Sequence, residues 1–97
     1  MNNKVNLLGL CVKSGNLVAG TDIVIEHIRS NKVCLVIILN DSAENTIKKV
    51  TDKCKFYNVD YTLEFSSLDT SRMIKNNKKV FGILDKNFAK ALKENER

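Results

Sequence analysis

The side chains able to do covalent or metal chemistry are few and scattered along this sequence. His27 is the only histidine, and Cys11, Cys34 and Cys54 are widely spaced, with no CxxC pair. A metal site needs clustered Cys or His ligands, and an enzyme needs a convergent set of catalytic groups. We therefore predict no catalytic residue, no metal site and no cofactor, and we interpret the cysteines as small buried apolar groups.

Two further patterns were candidates for chemistry. Asp22 and Glu26 lie four positions apart and share a helix face, a spacing that suits acid–base work, but an exposed pair of this kind is usually inert. The segment 15–20, GNLVAG, has neither the GxGxxG spacing nor the Lys-Ser/Thr ending of a phosphate-binding loop. Both patterns favour a binding module over an enzyme.

The positive charge of the chain is concentrated near its C-terminus. The net charge is +5; residues 1–71 contain eight Lys/Arg and eight Asp/Glu, whereas residues 72–97 contain eight Lys/Arg and three Asp/Glu. A basic surface favours polyanions, because binding releases their counterions. Lys75, Lys78 and Lys79 are the candidate basic patch. A solvated, lysine-rich surface is the alternative interpretation, and the sequence leaves both open.

Length and composition predict one folded domain over residues 1–97. The chain is 43% hydrophobic and 28% charged, which is typical of a globular protein and not of a disordered one. No apolar run is long enough for a membrane helix, and the N-terminus lacks the apolar segment of a secretory signal. We therefore expect a cytoplasmic protein with no membrane partner.

The stretch 15–41, GNLVAGTDIVIEHIRSNKVCLVIILND, organises the rest of the chain. Thr21 or Asp22 is the predicted N-cap of a helix, because their side chains accept hydrogen bonds from unpaired backbone N–H groups. Asn31 is predicted to end that helix, since asparagine tolerates the left-handed conformation. The apolar run 33–39 predicts a strand that is covered on both faces.

The other elements alternate in the same way. Helices are predicted over residues 3–13, 43–57, 66–74 and from Asp85 onward, and strands over residues 61–65 and 80–84. Asp41 or Ser42 is the predicted cap of the third helix, whose predicted inner face is Ile47, Val50, Cys54 and Tyr57. Leu68 is predicted to be buried in the fourth. This alternation indicates an α/β fold, a three-layer α/β/α sandwich around a small mixed sheet of about four strands.

A motif at the start of the second helix carries a family resemblance. Gly20, Thr21, Asp22, Ile23 and Glu26 are followed by the apolar run 34–39 and by Asn40-Asp41. With the segments VNLLGLCVKSGNLVAG, NDSAENTIKKVTDKCKFYNV and DKNFAKAL, this order resembles the kink-turn-binding ribosomal-protein family of L7Ae/L30e type. The resemblance covers nearly the whole chain and is strongest to the short bacterial YlxQ-like branch.

The resemblance implies a structured RNA partner, either a kink-turn or ribosomal RNA, and a role in translation. Family members read guanines from this helix N-terminus, where N–H groups and the helix dipole also favour phosphate. Gly20 and Thr21 fit that role. Asp22 stands where the family has Asn, Ile23 replaces a Glu that accepts from guanine, and Glu26 replaces a Lys. The implied behaviour is phosphate-type affinity with weak kink-turn selectivity.

A second family contact is a loop that packs against a flipped-out base. The matching positions are Glu64, Phe65 and Ser66, and the Phe65 ring could stack on a base, although a core role is the favoured interpretation. The runner-up function is a diverged member that acts as a protein-interaction module. Ile23 favours that alternative, whereas the basic C-terminal quarter favours RNA.

Overall fold

Four short strands form one mixed sheet at the centre of the computed structural model, which describes residues 3–71 and 77–94. The strands are β1 (Leu17–Ala19), β2 (Leu35–Ile38), β3 (Asp60–Thr62) and β4 (Val80–Ile83). They lie in the order β1-β4-β2-β3; β4 is antiparallel to both β1 and β2, and β3 is parallel to β2. The predicted small mixed sheet is confirmed.

Five helices surround this sheet. They are α1 (Asn3–Lys13), α2 (Thr21–Arg29), α3 (Glu44–Phe56), α4 (Ser67–Thr70) and α5 (Lys86–Glu94). Apolar residues of α1 and α5 pack on one face of the sheet with Leu35 and Ile37, and those of α2 and α3 pack on the other with Val36 and Ile38. Since β2 alternates between two buried faces, the predicted three-layer α/β/α sandwich is correct.

The core contains the residues that the apolar patterns indicated. Val36, Ile38 and Ile83 are fully buried, and so are Val50 and Cys54 on the inner face of α3. Burying this apolar area is the main stabilising contribution in so small a domain.

Gly82 lies in the middle of β4 and pairs with Val18 on one side and Val36 on the other. A Cβ atom at this position would lie 3.0 Å from a methyl of Val33 and 3.1 Å from one of Val18. The missing side chain therefore lets α2 and its neighbouring loop settle closely on the sheet.

Several predicted details are wrong. Tyr57 is 37% exposed and Leu68 is 84% exposed, because Tyr57 lies just past the end of α3 and α4 buries Thr70 instead. The N-cap of α2 is Gly20, and that of α3 is Ala43, so none of the four predicted capping side chains acts at these two helices. The strands are also shorter than predicted. The predicted fourth helix extends to 74, but residues 72–74 lie outside the described residues.

The predicted helix ends agree better with the structure. Gly15 and Asn31 both adopt positive φ angles, of 77° and 58°, directly after α1 and α2. Asp85 caps α5 as predicted, because its carboxylate accepts hydrogen bonds from the N–H groups of Asn87 and Phe88. Ser66 caps α4 through a reciprocal pair of hydrogen bonds with Asp69.

Candidate nucleic-acid interface

An open groove of about 750 Å³ lies where α2 and α3 begin. Its lining comes from three segments that are far apart in the sequence: Ala19, Gly20, Thr21, Asp22, Ile23, Ser42, Ala43, Thr46, Asn77, Lys78 and Lys79. The groove therefore brings four of the five predicted motif residues together with two of the three lysines of the predicted basic patch. The third lysine, Lys75, lies outside the described residues.

Gly20 sets the direction of α2 at the groove. Its φ of 119° is a conformation that side-chain-bearing residues rarely adopt, and its N–H donates to the Val80 carbonyl at 2.8 Å. The end of β1 is thereby tied to β4, and the chain turns straight into the helix. The N-cap residue makes no side-chain hydrogen bond to this helix start, where the first N–H groups of a helix have no acceptor within the helix.

The start of α3 forms the other wall of the groove. Ala43 is its N-cap, in an extended conformation, and no side chain caps this end either. Among the described residues, Ser42 Oγ is the one buried side-chain oxygen or nitrogen without a hydrogen-bond partner. Two helix N-termini, both lacking a side-chain cap, therefore open onto the same groove. Because helix N-termini carry partial positive charge, the groove suits an anionic ligand.

The side chains on the first two turns of α2 modify that preference. Asp22 is exposed, and Ile23 is 45% exposed and lies beside Gly20, so an apolar and an acidic group border the groove. Glu26 lies one turn further along and does not line the groove. Its carboxylate lies 3.9 Å from the Arg29 guanidinium, which offsets part of its negative charge.

Asp41 connects the start of α4 with Lys79, which lines the groove. Its carboxylate accepts from the Ser67 N–H at 2.8 Å and from Lys79 Nζ at 3.1 Å, while Lys79 also donates to Ser67 Oγ at 2.7 Å. Hydrogen bonds from Ser67, and then from Lys79, hold the pKa of the Asp41 carboxyl well below its usual range. The charge of Lys79 is therefore partly balanced within the protein.

Lys78 occupies a different position from Lys79. Its aliphatic stem lies over Gly20, where a Cβ atom would be 3.7 Å from Lys78 Cδ. Lys78 is exposed and contributes to the lining of the groove. Of the two described lysines of the predicted patch, it lies nearer to the start of α2.

The second predicted contact loop, Glu64 to Ser66, does not line the groove. Phe65 is only 2% exposed and packs in the core with α1 and α5, so the core interpretation of its ring is correct. Glu64 receives two hydrogen bonds from Lys4 Nζ, both 2.9 Å, and the Lys4 side chain is only 7% exposed. Ser66 is occupied as the cap of α4. Sequence reasoning missed Lys4, although a lysine within an apolar helix pattern signals a buried partner.

Cys11 and Cys54 are buried as predicted, whereas Cys34 is only half-buried. Burial raises the pKa of the Cys54 thiol to about 11; burial and then the Asp85 charge do the same for Cys11. Both therefore stay protonated at neutral pH and are poor nucleophiles. His27 Nδ1 lies 2.8 Å from the Ile23 carbonyl, within its own helix. Within residues 3–71 and 77–94, no three His, Cys, Asp or Glu side chains are grouped to hold a metal.

Within the part of the chain that the structure describes, no helix is both long and apolar enough to cross a membrane.

Comparison with known sequences gives consistent matches. The model of the ribosomal protein L7Ae/L30e/S12e/Gadd45 family matches residues 5–93. The RNA-binding protein YlxQ of Enterococcus faecium is 43% identical over 90 residues, which are 93% of this chain and 87% of that protein. The RNA-binding protein YlxQ of Bacillus subtilis strain 168 is 40% identical over 87 residues, 89% of this chain and 87% of the relative.

Solved structures share the fold. A protein of unknown function from Bacillus halodurans superposes with a TM-score of 0.88 at 28% identity, over 95% of this chain and 94% of the other. The Giardia lamblia 15.5kD RNA binding protein superposes with a TM-score of 0.78 at 18% identity, over 91% of this chain and 79% of that one. The second likeness shows the shared fold alone.

Proposed function

Because the chain belongs to the ribosomal protein L7Ae/L30e/S12e/Gadd45 family, we propose that it binds structured RNA, without catalysis, through the groove between the starts of α2 and α3. The observation that carries this proposal is the convergence of two helix N-termini, neither capped by a side chain, with Lys78 in one open groove. Two relatives at 40% and 43% identity are named RNA-binding proteins, which supports the same conclusion.

Phosphate is the RNA group that this groove suits best. Backbone N–H groups at a helix start bind phosphate oxygens, and the helix dipole adds to the attraction. Gly20 has no side chain to obstruct the approach of an RNA backbone, and Lys78 extends across the same position. Lys79 contributes less, since Asp41 already neutralises part of its charge. The RNA is a kink-turn or a ribosomal RNA, in keeping with a role in translation.

Base recognition is weaker than phosphate binding at this site. Asp22 can accept from guanine amino groups, but Ile23 offers neither a donor nor an acceptor at its side chain. Contacts to phosphate supply affinity for many sequences, whereas contacts to base edges supply selectivity. We therefore expect affinity for structured RNA with modest preference for a kink-turn over an unkinked duplex.

The test is a salt-dependent titration of both RNAs with the wild type and with Lys78→Gln. If Lys78 contacts one phosphate, the substitution should weaken binding to both RNAs and should flatten the slope of log K against log salt by about 0.7 to 0.9. Lys55→Gln is the matched control, because Lys55 is exposed at the far end of α3. An equal effect of the two substitutions would contradict the assignment of the groove.

A protein-binding role is the second candidate, and one observation favours it. Ile23 exposes 45% of its surface at the groove, where an apolar group gives no advantage with phosphate. If neither RNA binds at physiological salt, and if Ile23→Ser weakens association with a protein partner, the protein-interaction module becomes the better account.

A further inference from the structure

One face of α3 continues from the groove to the opposite end of the helix. Thr46 lines the groove, and Lys49, Lys53 and Phe56 follow it at intervals of three, four and three residues. This spacing places all four on one side of an α-helix. At 1.5 Å per residue, the row from Thr46 to Phe56 is about 15 Å long. We call Lys49, Lys53, Phe56 and the adjacent Tyr57 the α3 track.

The aromatic end of the track is exposed to solvent. Phe56 is 78% exposed and Tyr57 is 37% exposed, and their rings meet edge to face with centroids 4.9 Å apart. A phenylalanine exposed to this extent contributes little to folding, because most of its apolar surface stays in water. An exposed aromatic face is instead suited to stacking with a planar ligand group.

The charges along the track have one sign. Within the described parts of the chain, Lys49 and Lys53 have no carboxylate partner, whereas Lys48 on another side of α3 pairs with Asp52 at 3.7 Å. A basic row that ends at exposed aromatic rings matches single-stranded nucleic acid, whose phosphates follow the lysines and whose bases stack on the rings. An apolar protein surface would leave both ammonium groups without a counter-charge.

We propose that the α3 track binds the unpaired strand of an RNA whose structured part occupies the groove. The phosphates of that strand lie along Lys49 and Lys53, and one base stacks on Phe56 with Tyr57 at its edge. This inference rests on the proposed function, because the strand belongs to the RNA that the groove binds. The lysines and aromatic rings of the track are separate from the residues that line the groove.

The test compares three kinds of ligand. They are a kink-turn RNA, the same RNA with a single-stranded extension of about six uridines at one end or at the other, and the free uridine oligomer. The extension should tighten binding of the wild type about fivefold or more, which corresponds to the least that one stacked base contributes. Phe56→Ala should abolish that gain, and a Lys49→Gln, Lys53→Gln double variant should reduce it and flatten its salt dependence. Lys55→Gln, which lies off the track, should preserve it.

The outcomes separate this inference from the function on which it rests. If the kink-turn RNA binds but the extension adds nothing, or if Phe56→Ala keeps the gain, the track proposal is wrong and the groove proposal stands. If the kink-turn RNA does not bind, binding of the free uridine oligomer is the deciding measurement. Oligomer binding that is lost in Phe56→Ala supports the track, and a lack of oligomer binding overturns the proposal. The proposal would also be overturned if sedimentation showed a dimer that requires Phe56 and if Phe56→Ala left RNA affinity unchanged.

Discussion

The groove between α2 and α3 and the loop Glu64 to Ser66 are the two contacts that family resemblance implies, and they differ in how their polar groups are used. At the groove, two helix starts lack side-chain caps and Lys78 lies exposed beside them. In the loop, Glu64 is bonded to Lys4 and Ser66 to Asp69. The groove therefore presents groups for a ligand, whereas the loop uses its groups to hold the fold together.

This difference shows that a shared sequence position does not imply a shared task. Phe65 has the chemistry of a base-stacking residue, but its ring is committed to the core. Its carbonyl accepts from the Asn40 N–H at 2.9 Å, so the loop is tied to the segment that precedes α3. Both regions depend on the same folded core, which Ile38→Asp tests. The other substitutions test whether the groove binds RNA while the loop stabilises the fold.

The largest expected effect comes from Ile38→Asp, which should abolish folding and both regions with it. Ile38 is fully buried at the end of β2, and an unpaired buried carboxylate costs several kcal/mol, about as much as the stability of a small domain. Circular dichroism and urea denaturation provide the measurement. Ile23→Asp is the control, because Ile23 is 45% exposed and its variant should stay folded. A cooperatively melting Ile38→Asp protein would refute the burial of β2.

Restoring on α2 the residues that the family resemblance implies should sharpen the selectivity of the groove. Asp22→Asn, Ile23→Glu and Glu26→Lys together raise the net charge by two and return a base-reading acceptor, and each base contact regained is worth roughly 1 to 3 kcal/mol. The quantity to measure is the ratio of affinities for kink-turn RNA and an unkinked duplex, since added charge raises both. A ratio that stays flat would show that this corner does not read bases.

Lys4→Met should destabilise the loop while leaving RNA affinity unchanged. The substitution leaves Glu64 without its buried ammonium partner, and we expect a loss of about 1 to 2 kcal/mol, since Glu64 keeps some contact with water. Urea denaturation measures the loss, and Lys55→Met is the exposed control. If RNA affinity at 25 °C falls as much as stability does, the loop and the groove are not separate in function.

Asp41→Asn should give the smallest effect, and one that depends on pH. Because the folded-state pKa of Asp41 is lowered, its carboxylate stabilises the fold above the unfolded-state pKa of about 3.9, and that contribution is lost as pH falls below it. The urea midpoint of the variant should therefore lie slightly below that of the wild type at pH 7, and the difference should shrink as pH falls from about 3.9 toward the lowered folded-state pKa. Asp52→Asn, in an exposed pair with Lys48, is the matched surface control and should change the urea midpoint little at pH 7.

The features that sequence alone predicted are those with a local cause. The run 33–39 predicted β2 because a strand buried on both faces is apolar at every position, and Asn31 marked a helix end because asparagine tolerates positive φ. The motif at the start of α2 was predicted from a single short segment. The sequence did not predict that Lys78, which is far away along the chain, lines the same groove.

The features that were missed depend on contacts between distant parts of the chain. Asp41 or Ser42 was predicted to cap the helix that follows, but the Asp41 carboxylate instead accepts from Ser67 and Lys79. Lys4 pairs with Glu64, 60 positions away, and no periodicity in α1 identifies that partner. Likewise, Leu68 and Tyr57 were predicted to face the core, yet Leu68 is largely exposed and Tyr57 is partly exposed.

The two outer strands of the sheet have a consequence for behaviour at high concentration. Both β1 and β3 are only three residues long, and the carboxylate of Asp60 on β3 is held by Lys93 of α5. An exposed strand edge is a template on which a second chain can add by backbone hydrogen bonding, and short, charged edges offer too few bonds for that addition. The sheet is therefore protected against edge-to-edge aggregation by the brevity of its borders.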